Sequence, residues 1–140
     1  MSRDSILKTK SFDFAVRIIN LYKYLKKRHS EFEWSRQLLR SGTSIGALTR
    51  EAEFAESRNE FKLKLKIGLK EANENVYWLQ LLYATDFLNK KMFESIVGDA
   101  EELLKILIAS VKTSESKGKI ISNNNSVLNF DIHYSLLSIN

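Results

Sequence analysis

The chain has 140 residues, a length that suits one domain with a buried core but is too short for two. It is 44% apolar and 28% charged, and its net charge is +5. It contains no proline, five glycines and no cysteine, which argues against an all-β fold and excludes disulfides, thiolate nucleophiles and zinc sites with sulfur ligands. The sequence has no signal-peptide pattern and no apolar run of about 20 residues, so we expect a cytoplasmic protein with no membrane partner.

Two amphipathic helices are predicted in the first part of the chain. The first spans residues 11–28, where Phe14, Ile18, Leu21 and Leu25 recur at steps of three and four. The second is predicted to begin near Ser30, because Ser30-Glu-Phe-Glu33 has the spacing of a capping box. One face of this second helix is predicted to contain Trp34, Leu38, Ile45, Leu48, Ala52 and Ala55.

Two more helices follow. Ser57-Arg-Asn-Glu60 is a second capping-box pattern, and it begins a helix that continues to about Thr85. Residues 61–70 alternate apolar and polar side chains as a strand does, but the preceding cap and the continuing helical period favour a helix. The fourth helix follows an N-cap at Asn89. Its apolar stripe comprises Phe93, Ile96, Val97, Ala100, Leu103, Leu104, Leu107 and Val111.

The short connections predict the architecture. Neighbouring helices joined by a few residues lie antiparallel, so residues 1–116 are predicted to form an all-α, antiparallel up-down-up-down four-helix bundle. Residues 117–140 contain linker-like segments and scattered apolar residues without a period. We interpret them as a C-terminal tail that is either disordered or docked on a partner.

The third helix has apolar residues on two faces. At about 100° per residue, one face comprises Phe61, Leu65, Leu69, Ala72, Val76, Leu79 and Tyr83. The opposite face, predicted to be an interface between copies of the chain, comprises Leu63, Ile67, Tyr77, Trp78 and Leu81. Burying such side chains stabilises association at roughly 25 cal/mol per Å². The alternative is a central third helix that contacts its own chain on both sides.

The second helix contains Gly42 and Gly46, which share one face. Each interior glycine costs about 1 kcal/mol of helix stability relative to alanine. We therefore expect another backbone to approach this face closely. The sequence gives much weaker support to a phosphate-binding role for this segment, because the glycines do not precede a helix and no lysine follows them.

Catalytic chemistry has little support in the sequence. His29 and His133 lack the carboxylate three residues earlier that di-iron bundles require. Glu71 and Glu74 could chelate a metal, but a bridge to Lys70, Arg50 or a neighbouring helix is favoured. We therefore expect no catalytic residues, no metal and no cofactor.

Basic residues are concentrated in two stretches, which suggest contacts with RNA or DNA phosphates. In an oligomer such surfaces repeat, and each neutralised phosphate releases counterions, so binding should be salt-sensitive and largely independent of sequence. Solvated helix faces are the simpler explanation for any single lysine. The predicted contacts are Lys23, Lys26, Lys27, Arg28, Lys62, Lys64 and Lys66.

Three segments resemble a known family: Arg36-Gln-Leu-Leu-Arg-Ser-Gly-Thr-Ser-Ile-Gly-Ala47 with Glu51, Glu56-Ser-Arg-Asn-Glu-Phe61, and Lys70-Glu-Ala-Asn-Glu-Asn-Val-Tyr-Trp-Leu79. The chain resembles the bacterial four-helix-bundle proteins also called 23S rRNA intervening-sequence proteins, relatives of the accessory variability determinant of diversity-generating retroelements. The resemblance covers residues 10–115. It implies a helical bundle, a homopentameric ring with a central channel and a role linked to nucleic acid, with no catalytic residues.

Several positions match the pattern of this family, namely Gln37, Arg40, Ser44, Glu51, Glu71, Tyr77 and Trp78. Leu48 and Ala52 depart from it, since asparagine and glycine are common there. The leading hypothesis is a non-enzymatic, pentameric protein associated with nucleic acid. A protein-binding scaffold or accessory subunit and a metal-dependent enzyme using Glu71 and Glu74 are the alternatives.

Overall fold

A computed structural model describes residues 2–119 of the chain, which form four helices. They are α1 (Arg3–His29), α2 (Glu33–Glu53), α3 (Arg58–Ala84) and α4 (Lys90–Lys119). Each helix packs on the next in the chain, and α4 packs on α1, so α1 and α3 lie diagonally across the bundle. The predicted all-α four-helix bundle is confirmed, and the alternating residues 61–70 lie inside α3.

The helical region extends beyond the predicted limits at both ends of its sequence. The helix α1 begins at Arg3 rather than at residue 11, because Ser2 caps it by accepting a hydrogen bond from the Ser5 N–H at 3.2 Å. Leu7 is buried and continues the apolar stripe toward the N-terminus. The helix α4 continues to Lys119, past the predicted boundary at 116. The rest of the predicted tail, residues 120–140, lies outside the described residues.

The prediction that Ser30 caps α2 is wrong. Ser30 instead ends α1 in the left-handed conformation, with φ of 50°, and its N–H donates to the Leu25 carbonyl. The side chain that caps α2 is Glu31, whose carboxylate accepts hydrogen bonds from the Trp34 N–H at 2.8 Å and the Ser35 N–H at 2.7 Å. The other two predicted caps are confirmed: Ser57 accepts from Glu60 N–H, and Asn89 from Met92 N–H.

Three helices converge at Gly42 in α2. A Cβ placed on this residue would lie 2.7 Å from Ile18 Cγ1 of α1 and 2.9 Å from Asn75 Nδ2 of α3. At Gly46 the α1 backbone itself is close, since a Cβ would lie 3.5 Å from the Ser11 carbonyl oxygen. The predicted approach of another backbone is therefore found at Gly46, at ordinary contact distance, whereas the tight neighbours of Gly42 are side chains.

Asn75 is a polar residue at the centre of this packing. Its side chain is fully buried, and its amide nitrogen donates to the Leu38 carbonyl and to Ser41 Oγ, both at 3.1 Å. A buried amide without partners would be strongly destabilising, so these bonds favour one register of α3 against α2. Around it, leucines, isoleucines and alanines from all four helices form one hydrophobic core.

Among residues 2–119, no helix has the length and apolar character needed to cross a bilayer.

We expect Gly42→Ala to destabilise the protein even though alanine favours helix. The new methyl group has no space beside Ile18, and overpacking of a core costs about 1–3 kcal/mol. Gly98→Ala in α4 is the matched control, because a Cβ there meets nothing within 4 Å and should stabilise by up to about 1 kcal/mol. Urea unfolding measures both free energies. Equal effects of the two substitutions would contradict the close packing at Gly42.

Glu31 should make the stability depend on pH. Burial raises the pKa of its carboxyl, but hydrogen bonds from the Trp34 and Ser35 N–H groups outweigh this effect and hold the pKa below its ordinary value. The contribution of a carboxyl with a lowered pKa is complete above its ordinary value of 4.5 and is lost as the pH falls through the lower, folded-state value.

We therefore expect Glu31→Gln to lower the free energy of unfolding by about 1 kcal/mol at pH 7, with a difference from the unmodified protein that shrinks as the pH is lowered toward 3. Urea unfolding at a series of pH values measures this difference. Glu33→Gln removes the same charge from an exposed neighbour and should change stability less. A Glu31→Gln effect that is independent of pH would rule out capping by the ionised carboxylate.

Candidate interaction surfaces

The outward face of α3 carries the residues predicted to join copies of the chain. Leu63 and Tyr77 are 54% and 53% exposed, while Ile67, Trp78 and Leu81 are half-buried. Trp78 also packs against the core of its own bundle. The second apolar face of α3 therefore exists, with Leu63 and Tyr77 as its most open members.

Three aromatic side chains form a cluster at the edge between α3 and α2. Trp34 stacks on Trp78 with ring centroids 6.1 Å apart, and Tyr77 lies 5.2 Å from Trp78. Trp78 Nε1 donates to Glu74 at 3.2 Å. We call Trp34, Tyr77 and Trp78 the aromatic cluster. Trp34 was predicted to share one face of α2 with Leu38 and Ile45; those two residues are buried, whereas Trp34, in the first turn, is 49% exposed.

A second apolar surface lies on α1, and sequence reasoning missed it. Phe12, Val16 and Ile19 are exposed at steps of four and three, with Phe12 at 56%. This spacing was visible in the sequence, but the stronger stripe around Phe14 and Ile18 accounted for α1 by itself. The surface runs into a groove of about 680 Å³ between α1 and α2, which we call the α1–α2 groove. Its lining comprises Ile19, Tyr22, Lys23, Lys26, Lys27, Phe32 and Leu39.

The four predicted phosphate contacts of α1 lie together and are exposed in its last two turns: Lys23, Lys26, Lys27 and Arg28. The Lys26 ammonium lies 5.2 Å from the centre of the Tyr22 ring and 6.0 Å from that of Phe32. Within residues 2–119, none of the four forms an ion pair. Positive charge is therefore concentrated at this end of α1.

The three lysines near the start of α3 do not form one surface. Successive members are two residues apart, so Lys64 points away from Lys62 and Lys66. Lys64 pairs with Glu51 of α2 at 3.6 Å, and Lys66 pairs with Glu115 of α4 at 3.0 Å. They also lie at the opposite end of the bundle from the basic residues of α1, since α1 and α3 start at the same end.

Comparison with known proteins identifies the family. The model of the 23S rRNA-intervening sequence protein family matches residues 3–109, which is most of the chain. The chain belongs to this family. It is also similar to a crystal structure from Bacteroides thetaiotaomicron, described as a protein of unknown function from the S23 ribosomal protein family. The identity is 53%, over 79% of this chain and 99% of the other, with a TM-score of 0.78. No curated protein matches the chain.

Three positions that match the family pattern form one network between α2 and α3. The Arg40 guanidinium donates to Glu71 at 3.0 Å, to Glu74, and through Nε to Gln37 at 3.5 Å. Arg40 lowers the pKa of the Glu74 carboxyl. The Glu71–Glu74 pair thus bridges to a neighbouring helix as favoured, but through Arg40 and not through Lys70 or Arg50. Within the described residues, no three His, Asp or Glu side chains are placed to hold a metal ion.

The remaining positions of the family pattern have local roles. Ser44 donates to the Ser41 carbonyl within α2, and Glu51 pairs with Lys64. The two departures are accommodated by packing: Leu48 lies beside Gly68, and Ala52 is buried in the core. These residues support the bundle of this family member and bring no further reactive groups together.

A cavity of about 780 Å³ lies at the other end of the bundle, where α1 and α3 begin. Charged groups of both signs line it, among them Arg3, Arg58 and Glu53. The hydroxyls of Thr49 and Ser110 in its wall donate to carbonyls of their own helices. The described lining contains no histidine, so it offers no serine–histidine or threonine–histidine pair of the kind that activates a nucleophile.

Proposed function

We propose that this member of the 23S rRNA-intervening sequence protein family is a non-enzymatic homo-oligomer that associates with nucleic acid. The observation that supports it best is the exposed group of Lys23, Lys26, Lys27 and Arg28, which has no acidic partner among residues 2–119. Side chains of this kind bind phosphates without reading bases. The family's description, which refers to an rRNA intervening sequence, points to the same ligand class.

The proposed oligomer is a pentameric ring, as the family resemblance implies. Large apolar side chains exposed on α3 and α1 support self-association, since monomeric proteins rarely expose extended apolar patches. A ring repeats the basic group of α1 once per subunit. The number of phosphate contacts then rises with the number of subunits, and so does the salt sensitivity of binding.

The basic residues of α3 contribute less to this proposal. Lys64 and Lys66 are already paired with carboxylates, and Lys62 lies half-buried near Lys66. A phosphate would have to compete with those carboxylates. The contacts that we propose are therefore centred on α1.

Light scattering tests the assembly directly. The purified protein is expected to have about five times the 16.2 kDa chain mass. The double substitution Leu63→Lys and Tyr77→Lys should shift it toward the single-chain mass, because it places two charges on the outward face of α3. Phe54→Lys is the matched control: Phe54 is 84% exposed but lies in the turn between α2 and α3. A single-chain mass for the unmodified protein at high concentration would overturn the proposal.

Nucleic-acid binding is tested by fluorescence anisotropy with labelled DNA and RNA. If about four phosphates are neutralised, raising the salt from 50 to 200 mM should weaken binding about 100-fold. Lys23→Glu with Lys27→Glu should abolish binding. Lys91→Glu with Lys105→Glu changes the charge equally on α4 and should weaken binding much less. Binding that does not respond to salt, or is absent at low salt, contradicts the proposal.

A protein-binding scaffold or accessory subunit is the second candidate. The α1–α2 groove supports it, since an apolar floor with a basic rim fits an acidic amphipathic segment. Under this proposal nucleic acid would not bind directly, so the anisotropy measurement separates the two. Residues 120–140 of the predicted tail, the other segment proposed to hold a partner, lie outside the described residues.

A further inference from the structure

We infer that residues 127–140 dock in the cavity of their own chain at the end of the bundle where α1 and α3 begin. We call this cavity of about 780 Å³ the end cavity. The basic residues of α1 that we assign to phosphate lie at the opposite end of the bundle. The inference therefore stands apart from the proposed function, and either can fail without the other.

The described part of the chain ends beside this cavity. All four helices and the α2–α3 turn line it, and α4 contributes Ser110, Thr113 and Ser114. Lys119, where α4 ends, lies five positions after Ser114, which is about 8 Å along the helix at 1.5 Å per residue. Residues 120–140 therefore begin next to the cavity.

The sequence of residues 120–140 divides into a polar part and an apolar part. Ser122-Asn-Asn-Asn-Ser126 is polar and linker-like, whereas more than half of residues 127–140 are apolar, among them Phe130 and Tyr134. Segments that remain in solvent are poor in aromatic and branched apolar side chains. Residues 127–140 are rich in them, so burial of this segment against a surface is favoured.

The polar part is long enough to bring the apolar part back to the cavity. Residues 120–126 can span up to about 23 Å, at about 3.3 Å per residue. The distance from Lys119 back to the level of Ser114 is only about 8 Å. The connection also holds the segment near the cavity at an effective concentration in the millimolar range, so a weak intrinsic affinity is sufficient for docking.

The lining of the end cavity fits a nearly neutral, apolar segment better than a small anion. Its buried apolar residues include Leu7, Ala52 and Leu65. Its charged residues are three carboxylates and two guanidinium groups, namely Asp4, Glu53, Glu56, Arg3 and Arg58. Residues 127–140 contain one carboxylate side chain, Asp131, and no lysine or arginine. Cavity and segment are thus both close to neutral and both rich in apolar groups.

One hydroxyl in the wall of the cavity lacks a partner. Thr49, Ser110 and Thr113 each donate to a carbonyl of their own helix. Ser114 is only 6% exposed, yet its hydroxyl forms no hydrogen bond within residues 2–119. Buried hydroxyls are seldom left in this state. A docked segment would supply a backbone group to bond the Ser114 hydroxyl.

One guanidinium group at the cavity is open as well. Arg3 donates to the Ala109 carbonyl and to Thr113. Arg58 forms neither a hydrogen bond nor an ion pair within residues 2–119, and it is exposed. Asp131 is the carboxylate that the segment offers to it. An exposed pair of this kind adds little energy, but it favours one orientation of the docked segment.

This docking concerns a part of the chain beyond the family match. The family model ends at residue 109, whereas the cavity wall includes Ser110, Thr113 and Ser114, and the segment begins later still. The shared bundle therefore provides most of the cavity, and the residues after the match provide the rest of its wall and its occupant.

Hydrogen exchange measured by mass spectrometry on the full chain tests the docking. With an effective concentration of about 1 mM and an intrinsic dissociation constant of about 0.1 mM, amides of residues 127–140 should exchange about tenfold more slowly than in a free peptide of that sequence. Phe130→Asp should return them to the rates of the free peptide, because it places a charge in an apolar contact. Asn129→Asp adds the same charge at a polar position and should change the rates much less.

A substitution in the cavity should have the same effect as one in the segment. Ser114→Trp places a large side chain in the cavity wall and should release residues 127–140, whereas Ser116→Trp, at an exposed position of the same helix, should not. Unchanged exchange in α1, α2 and α3 shows that the bundle is intact. Slow exchange of the segment that persists in both Phe130→Asp and Ser114→Trp places it elsewhere and overturns the inference, as does fast exchange in the unmodified protein.

A charge exchange decides the matter if Ser114→Trp disrupts the bundle. Arg58→Asp alone and Asp131→Arg alone should each speed the exchange of residues 127–140, and the combination of the two should slow it again. A combination that exchanges no more slowly than the single variants overturns the inference.

Cysteine crosslinking identifies the copy that holds the segment, because the natural chain contains no cysteine. Ala55→Cys in the cavity lining combined with Asn129→Cys, treated with a short bismaleimide, should give a crosslink within one chain. This product keeps the single-chain mass on a denaturing gel. Covalent dimers as the main product would place the segment in the cavity of a neighbouring copy and overturn the inference.

Discussion

The contact of Gly42 with Ile18 and Asn75 is the constraint on which the rest of the molecule depends. It joins α1, α2 and α3 at one point, where there is no space for even a methyl group. The Asn75 amide donates to Leu38 and Ser41 of α2, so a shift of α3 by one turn would leave a buried amide without acceptors. Apolar packing alone tolerates small shifts of one helix along another. The close contact at Gly42 and the directional hydrogen bonds of the Asn75 amide do not tolerate them.

Fixing the register of these three helices also fixes what lies on the outside of the bundle. The Arg40 guanidinium reaches Glu71 and Glu74 because α2 and α3 are held at one relative height. The same alignment places Trp34 of α2 against Trp78 of α3. A residue that contacts nothing outside the bundle therefore controls the geometry of the surfaces that would meet other molecules.

The helical period of the apolar residues predicted the fold and the core from sequence, because few structures other than packed amphipathic helices bury apolar side chains that repeat every 3.6 residues. Trp34 and Ser30 show where this reasoning ends. Trp34 continues the period of α2, yet it is 49% exposed and stacks on the half-buried Trp78 of α3 instead of entering the core. Ser30 has the spacing of a cap, but the chain needs a left-handed residue there to end α1, and Glu31 takes over the capping.

Which surface lysines form ion pairs was harder to predict from sequence, because pairing also depends on where the helices lie relative to one another. Lys62, Lys64 and Lys66 are neighbours in sequence but point to different sides of α3. Their partners, Glu51 and Glu115, come from helices that are distant in sequence. Ion pairing of this kind depends on tertiary packing, which no local pattern encodes. The basic group of α1 was easier to predict, since its members lie within two turns at a helix end.

That basic group also has a structural role, which must be separated from ligand binding. Lys26, Lys27 and Arg28 lie in the last turn of α1, where positive charge interacts favourably with the helix dipole, typically by 0.3–1 kcal/mol per residue. This interaction explains their presence without any ligand. Lys23 lies one turn earlier, where the dipole effect has largely declined, and it faces the α1–α2 groove. Because the helix dipole contributes little at this position, Lys23 is the residue whose substitution best distinguishes a functional surface from a well-capped helix.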